Sequence, residues 1–229
     1  VHQFVGSNLN LLTFNTAEPP LDNVKVRQAI AYAIDRESMI RDLIRGQGAI
    51  AHSILPEASW AYVKPLTYQF DPAKAKQLLD EAGFRDPDGD GPQMRWAKPL
   101  LFRVSGSSAA ARQYAGVIQN YLKNVGVPVT IETSEFTTML DQLRYGQFQM
   151  TYGQWVGGNQ DPIFYHDLFA TSEIPTQTRA ARNRSRYSNP ELDKILDDAA
   201  NTYDHAVAAP LYARAQEIIS RDVPVFPLW

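Results

Sequence analysis

The sequence predicts an α/β fold in which parallel strands are joined by helices and flanked by further helices. Three observations predict it. Between residues 100 and 155, three strand-like runs (100–104, 127–133 and 148–155) alternate with two runs of helical periodicity (109–124 and 136–145). Connections of that length make neighbouring strands parallel, with right-handed crossovers. Helix openings recur as an Asp or Asn cap followed by proline, at Asp71 and Pro72, Asp161 and Pro162, and Asn189 and Pro190. Finally, 229 residues that are 44% hydrophobic and 21% charged are long and apolar enough to bury a core.

The remaining elements follow in order. Residues 9–15 form a strand, and Glu18 to Asp22, with Pro19 and Pro20, a turn. A helix then carries Val26, Ala29, Ile30, Ala33 and Ile34 on its apolar side, with Arg27, Gln28 and Asp35 on its polar face. A short helix from Arg36 aligns Met39, Ile40, Leu43 and Ile44 and stops at Gly46. Residues 47–70 contain Pro56, Pro65, Trp60, Tyr62 and Tyr68 and read as a long packed loop. The helix opened by Asp71 runs to Ala82 and stops at Gly83. After the crossovers, a polar loop over 172–188 precedes a helix with Leu192, Ile195, Leu196 and Ala199 on one face. A last helix, 206–221, presents Leu211, Ala215, Ile218 and Ile219, and the chain closes with a short strand. No repeat, low-complexity tract or interdomain linker interrupts this order, so residues 1–229 are expected to form a single α/β lobe.

The totals exclude several function classes. A net charge of −3 supplies no field for nucleic acid or an anionic membrane surface. The absence of cysteine excludes disulfides, thiolate metal sites and a cysteine nucleophile. No apolar run reaches the roughly 18 residues needed to span a bilayer. The chain opens at Val1 without a charged-then-apolar signal segment, and both ends read as cut.

The chemistry-bearing motifs are sparse. His2, His52, His166 and His205 stand singly, with none of the i+3 or i+4 partners that let two histidines share a metal. Neither a nucleophile elbow nor a nucleotide-cradling glycine loop occurs. Asp86, Asp88, Asp90 and Gly91 imitate the start of a calcium loop, but the twelfth position is Ala97 rather than a bidentate glutamate, and Pro92 follows the glycine. Gly106, Ser107 and Ser108 lie between a strand and a helix, where they serve as a cap or hold an anion. Arg179, Arg182, Arg184 and Arg186 are either a solvated surface or an anion site. No catalytic residue, metal site or cofactor is expected.

The informative stretch is 152–162, at the carboxyl end of the third parallel strand, where ligands of open α/β sheets bind. Gly153, Gly157 and Gly158 leave room for another backbone, and Trp155 offers a broad apolar face. Trp155 is equally well a core residue, and Asp161 a helix cap rather than a ligand.

Several separated stretches make the chain resemble the dipeptide, oligopeptide and nickel group (family 5) of extracytoplasmic solute-binding proteins of ABC transporters. They are Asn15, Thr16, Pro20 to Asp22 and Val26 to Arg36; Phe70 to Pro72 with Leu78, Leu79 and Gly83; Trp155 with Asp161 and Pro162; and 188–193 with the ending 223–229. The resemblance implies a lobe of the type II periplasmic binding protein fold, specifically the second, C-terminal lobe of a two-lobed protein, with the first lobe absent. It implies a non-enzymatic, monomeric protein in the periplasm or at the outer face of the cytoplasmic membrane. Such a protein captures a peptide, a peptide-like solute or a metal chelate and delivers it to ABC permease subunits in the inner membrane. It places the ligand against Tyr152, Gln154, Trp155, Val156, Gly157, Gly158 and Asn159, with Gln154 and Val156 as backbone partners and Trp155 as an apolar wall. Peptide binders of the group carry an aspartate for the ligand's α-ammonium group where this sequence has Gly158, which puts simple free-amine peptides in doubt as ligands.

Overall fold

A computed structural model of the chain describes residues 8–87, 94–155 and 161–229. The elements run β1 (Leu9–Phe14), α1 (Val24–Ala33), α2 (Arg36–Leu43), α3 (Pro72–Glu81), β2 (Leu100–Ser105), α4 (Ala109–Lys123) and β3 (Val129–Ser134). They continue with α5 (Phe136–Arg144), β4 (Met150–Trp155), α6 (Phe164–Phe169), α7 (Pro190–Ala200), α8 (His205–Asp222) and β5 (Val225–Pro227). The five strands form one sheet in the order β3-β2-β4-β1-β5. β2 is parallel to β3 and to β4, as the crossovers require, whereas β1 is antiparallel to both β4 and β5. The sheet is therefore half parallel and half antiparallel, the second half being made by the entering and leaving segments.

Local chemistry sets the boundaries. Asp71 and Asn189 cap α3 and α7, their side chains accepting from Lys74 N (2.9 Å) and Glu191 N (2.9 Å). Ser108 caps α4 through Ala111 N at 3.1 Å. Each cap contributes about 1 kcal/mol. α3 ends at Gly83, whose φ of +90° strains any side-chain-bearing residue. Some boundaries shift, β4 for instance starting at Met150 rather than residue 148. β3 starts at Val129 instead of residue 127, because Pro128 has no N–H to give the ladder; only its carbonyl is used, by Leu100 N–H at 2.8 Å. Asp161 does not cap a helix at 162: its carboxylate accepts from Ile163 N at 2.9 Å, and α6 opens only at Phe164.

Alternation along β1 and β4 divides the core between the two sheet faces. Leu12, Phe14, Phe102, Val104 and Met150 face α1, α3 and α4, packing with Ile30, Leu79 and Ile118. Leu9, Leu11 and Trp155 face α6–α8, against Phe164, Tyr165, Leu196 and Ile218. Burying each such side chain contributes on the order of 2 kcal/mol. No helix among the described residues is long and apolar enough to cross a membrane.

The 47–70 loop is packed, as expected, and its anchor is Arg36. That guanidinium is buried and donates to Ala51 O (2.7 Å), Pro227 O (2.8 Å) and Tyr68 O (2.8 Å) while lying 4.7 Å from the centroid of the Phe226 ring. Burial lowers its pKa to about 10, so it stays charged at neutral pH. Arg27 departs from its expected place on a polar face. It is buried, joining α1 to Leu21 O (2.7 Å) and to the end of α8 at Asp222 O (2.8 Å). Arg36→Met strands three carbonyls at once and is expected to lower unfolding free energy by about 3 kcal/mol, measured by urea denaturation; a loss below about 0.5 kcal/mol, the range of an ordinary surface change, would contradict the anchoring role.

Candidate functional site

The carboxyl end of β4 is paired on one side only. On the β1 side the ladder is continuous from Phe14↔Met150 to Leu9↔Trp155. On the other side, pairing with β2 stops at Arg103↔Thr151, although β2 continues to Ser105 in register with Ser134 of β3. The two strands part there, where the connection after β2 leads to one side of the sheet and the chain after β4 leads to the other. This is the switch point at which open α/β sheets bind ligands.

The orientation of the open edge follows from alternation. Asn10 N–H bonds to Trp229 O (2.8 Å) and Phe14 N–H to Pro224 O (3.0 Å), so even residues of β1 face β5; Asn15 N–H bonds to Gln149 O (2.9 Å), so odd residues face β4. Directly opposed residues of an antiparallel pair face each other or face away together. Thr151, Gly153 and Trp155 thus turn their main-chain groups to β1, while Tyr152 and Gln154 turn theirs to the open side. Gln154 lies beyond the last β2 pair, with its side chain exposed.

The side chains here are aromatic and amide groups. Tyr152 is half-buried; its hydroxyl donates to Asn10 Oδ1, and Asn10 Nδ2 donates to Trp229 O at 3.3 Å. Burial raises the Tyr152 hydroxyl far above the ordinary phenol range, so it is a neutral donor and acceptor. Tyr114 of α4 stands edge-on to Tyr152 and to Trp229, with centroids 5.5 and 5.2 Å apart. Trp155 stacks on Phe164 at 5.9 Å and packs against the second core. Of the two roles the sequence left open, Trp155 takes the core role while keeping part of its indole exposed. A Cβ built on Gly153 meets nothing within 4 Å, so the sheet surface beside Trp155 is open. Val156, Gly157, Gly158 and Asn159 lie outside the described residues.

Sequence reasoning missed Asn10 and Tyr114, which come to this end of the sheet from β1 and α4. Strand parity could have found Asn10, a polar residue on the core-facing register of β1. Other candidates resolve into local roles. Gly106 sits close against β3, its N–H donating to Ser134 O at 2.8 Å, and Ser107 pairs with Ser105 at 2.8 Å. Arg179 meets Glu173 (3.2 Å), Arg182 meets Asp167 (2.7 Å), and Arg186 donates to Arg144 O (2.8 Å), so three of the four loop arginines hold the chain itself. Among the described residues no group of three or more His, Asp or Glu is placed to hold a metal ion; Asp88, Asp90 and Gly91 of the calcium-like turn lie outside the described residues. Two small hollows, neither with room for more than a water or so, lie between the 47–70 loop, β5 and α8, lined by Arg36, His52 and Tyr165.

The family model for bacterial extracellular solute-binding proteins, family 5, matches residues 1–176. The chain belongs to this family. It is 32% identical over 224 residues to heme-binding protein A of Haemophilus influenzae, covering 97% of this chain and 39% of that protein. It is 32% identical over 220 residues to the dipeptide-binding protein of Escherichia coli, covering 96% of this chain and 39% of that one. The oligopeptide-binding protein AppA of Bacillus subtilis, solved with a nonapeptide, superimposes with a TM-score of 0.88 at 26% identity, covering 98% of this chain and 45% of that structure. The fold is therefore the α/β lobe of a type II periplasmic binding protein, and this family-5 chain spans about two fifths of the curated relatives it matches.

Tyr152→Phe removes the hydroxyl that ties β4 to Asn10. A loss of about 1 kcal/mol is expected, read from chemical denaturation of the isolated lobe; an unchanged midpoint would show that the bond does not order this edge.

Proposed function

We propose that the chain is the second, C-terminal lobe of an extracytoplasmic solute-binding protein that encloses a solute between two lobes and hands it to the permease of an ABC importer. The protein works without catalysis, as a monomer in the periplasm or at the outer face of the cytoplasmic membrane, by hinge closure around the bound solute. The observation that carries this reading is the one-sided pairing of β4 beyond Thr151. A strand edge with free main-chain groups takes up an extended ligand by adding it as a further strand. Gln154 supplies the exposed N–H and C=O, Val156 is the second backbone partner that the family resemblance implies, and Trp155 is the apolar wall. Gly153 and the glycines at 157 and 158 leave room for the ligand's backbone, with Tyr152 and Asn159 at its margins.

The solute is a peptide, a peptide-like molecule or a metal chelate. The relatives' names cover haem and dipeptides, and the nonapeptide complex adds a longer peptide. Gly158 supplies no carboxylate for an α-ammonium group, which favours a solute without a free amine at that point. A fully desolvated charge pair of that kind is worth about 2–5 kcal/mol to a peptide, by the cost of removing one partner.

Gly153→Ala tests the site without touching the core, since the added Cβ meets no atom within 4 Å. In the full two-lobed protein its calorimetric affinity for the co-purifying solute, identified by native mass spectrometry, is expected to fall at least about tenfold, or 1.4 kcal/mol, with unfolding unchanged. Wild-type affinity would remove β4 from the binding site.

A further inference from the structure

The gap that opens between β2 and β4 after Thr151 is crossed by one side chain. In the sheet order β3-β2-β4-β1-β5, α4 packs on β2 and β3, to one side of that gap. Its buried stripe is Ala111, Ala115, Ile118 and Leu122. Tyr114, in the second turn, reaches to the other side. Its ring stands edge-on to Tyr152 of β4 at 5.5 Å and to Trp229 at 5.2 Å. Trp229 is joined to β1, where its carbonyl accepts from Asn10 N–H at 2.8 Å. A side chain rooted over β2 that meets rings on β4 and beside β1 passes over the line between β2 and β4. It does so at Tyr152, the first β4 residue that β2 leaves unpaired. Tyr114 thus bounds the gap on the sheet face that α1, α3 and α4 cover, and both tyrosines remain partly exposed there.

The surface so formed consists mainly of ring atoms. The polar groups that join its members are spent on each other, the Tyr152 hydroxyl donating to Asn10 Oδ1 and Asn10 Nδ2 to Trp229 O. None of Asn10, Tyr114, Tyr152 and Trp229 carries a charge at neutral pH. A charged group placed against them loses hydration without gaining a partner. An aromatic ring gains both apolar burial and the edge-to-face geometry that these rings already adopt with one another.

Strand pairing decides which ligand residue arrives there. Directly opposed residues of a ladder put their side chains on the same face. Tyr152 and Gln154 turn their main-chain groups to the open side, and alternation puts their side chains on the α4 face, while Trp155 lies on the other. A ligand strand on this edge therefore sends one side chain toward Tyr114 and the two flanking ones toward the Trp155 face.

We propose that Tyr114 is a specificity-determining residue of the β4 site and that the solute is a peptide with an aromatic residue at the position facing it. The inference rests on the reading of β4 as the ligand edge and deepens it by naming one side chain of the ligand.

The test uses the full two-lobed protein and a library of N-acetylated, C-amidated tripeptides randomised at every position and free of terminal charges. Bound peptides are recovered by gel filtration and sequenced by mass spectrometry. Aromatic residues are expected to be enriched about fivefold at the position facing Tyr114. Tyr114→Leu, which keeps an apolar, helix-forming side chain without a ring, is expected to abolish most of that enrichment at this one position, and Tyr114→Phe to restore it. A purely structural role would lower recovery of all peptides alike and would overturn the assignment. Peptide binding without aromatic enrichment in the wild type, a test that needs no variant, would overturn it while leaving the β4 site standing, as would equal enrichment in Tyr114→Leu. Recovery of no peptide at all would overturn the peptide ligand and this inference with it; failure of the β4 edge itself is read separately, from Gly153→Ala and the co-purifying solute.

Discussion

The architecture depends on β1. Among the described residues it is the one strand with antiparallel partners on both sides, and its alternate residues serve different neighbours. Its odd residues bond to β4 and its even residues to β5, while Leu12 and Phe14 enter one core and Leu9 and Leu11 the other. Asn10 ties the strand to Trp229 and, through Tyr152, to the end of β4. Because β1 holds β4 along its whole length while β2 lets go after Thr151, one edge of β4 is paired and the other is available. The ligand strand proposed above would meet a preformed edge, which lowers the ordering cost of binding.

Buried arginines do comparable work away from the site. Arg27 and Arg36 meet backbone carbonyls rather than carboxylates, joining segments that are far apart in sequence: α1 to the end of α8, and α2 to the 47–70 loop and β5. A guanidinium presents five donors in a fixed fork and so can satisfy several carbonyls in a loop that has no ladder of its own. The desolvation cost is visible in the depressed pKa of Arg36 and is offset by those hydrogen bonds.

Much of this was legible in the residues. Caps at Asp71, Ser108 and Asn189, the stop at Gly83 and the alternation of strand and helix over 100–155 each have a local cause, and each appears where its chemistry places it. The place of β1 and β5 in the sheet, their antiparallel direction and the tie from Arg27 to Asp222 were not legible, because each is set by partners far away in the chain. At the site, Gln154 and Trp155 were visible as a strand end rich in glycine. The loss of β2 pairing after Thr151, which frees that strand end, and the approach of Asn10 and Tyr114 are products of the sheet as a whole.

The central claim is that the outer edge of β4 receives solute, and the most direct measurement is backbone amide exchange at Gln154 in the full two-lobed protein. The account predicts fast exchange at Gln154 without solute and strong protection with it, while Gly153, already turned toward β1, changes little. Equal exchange at Gln154 in the free and solute-saturated protein would contradict it.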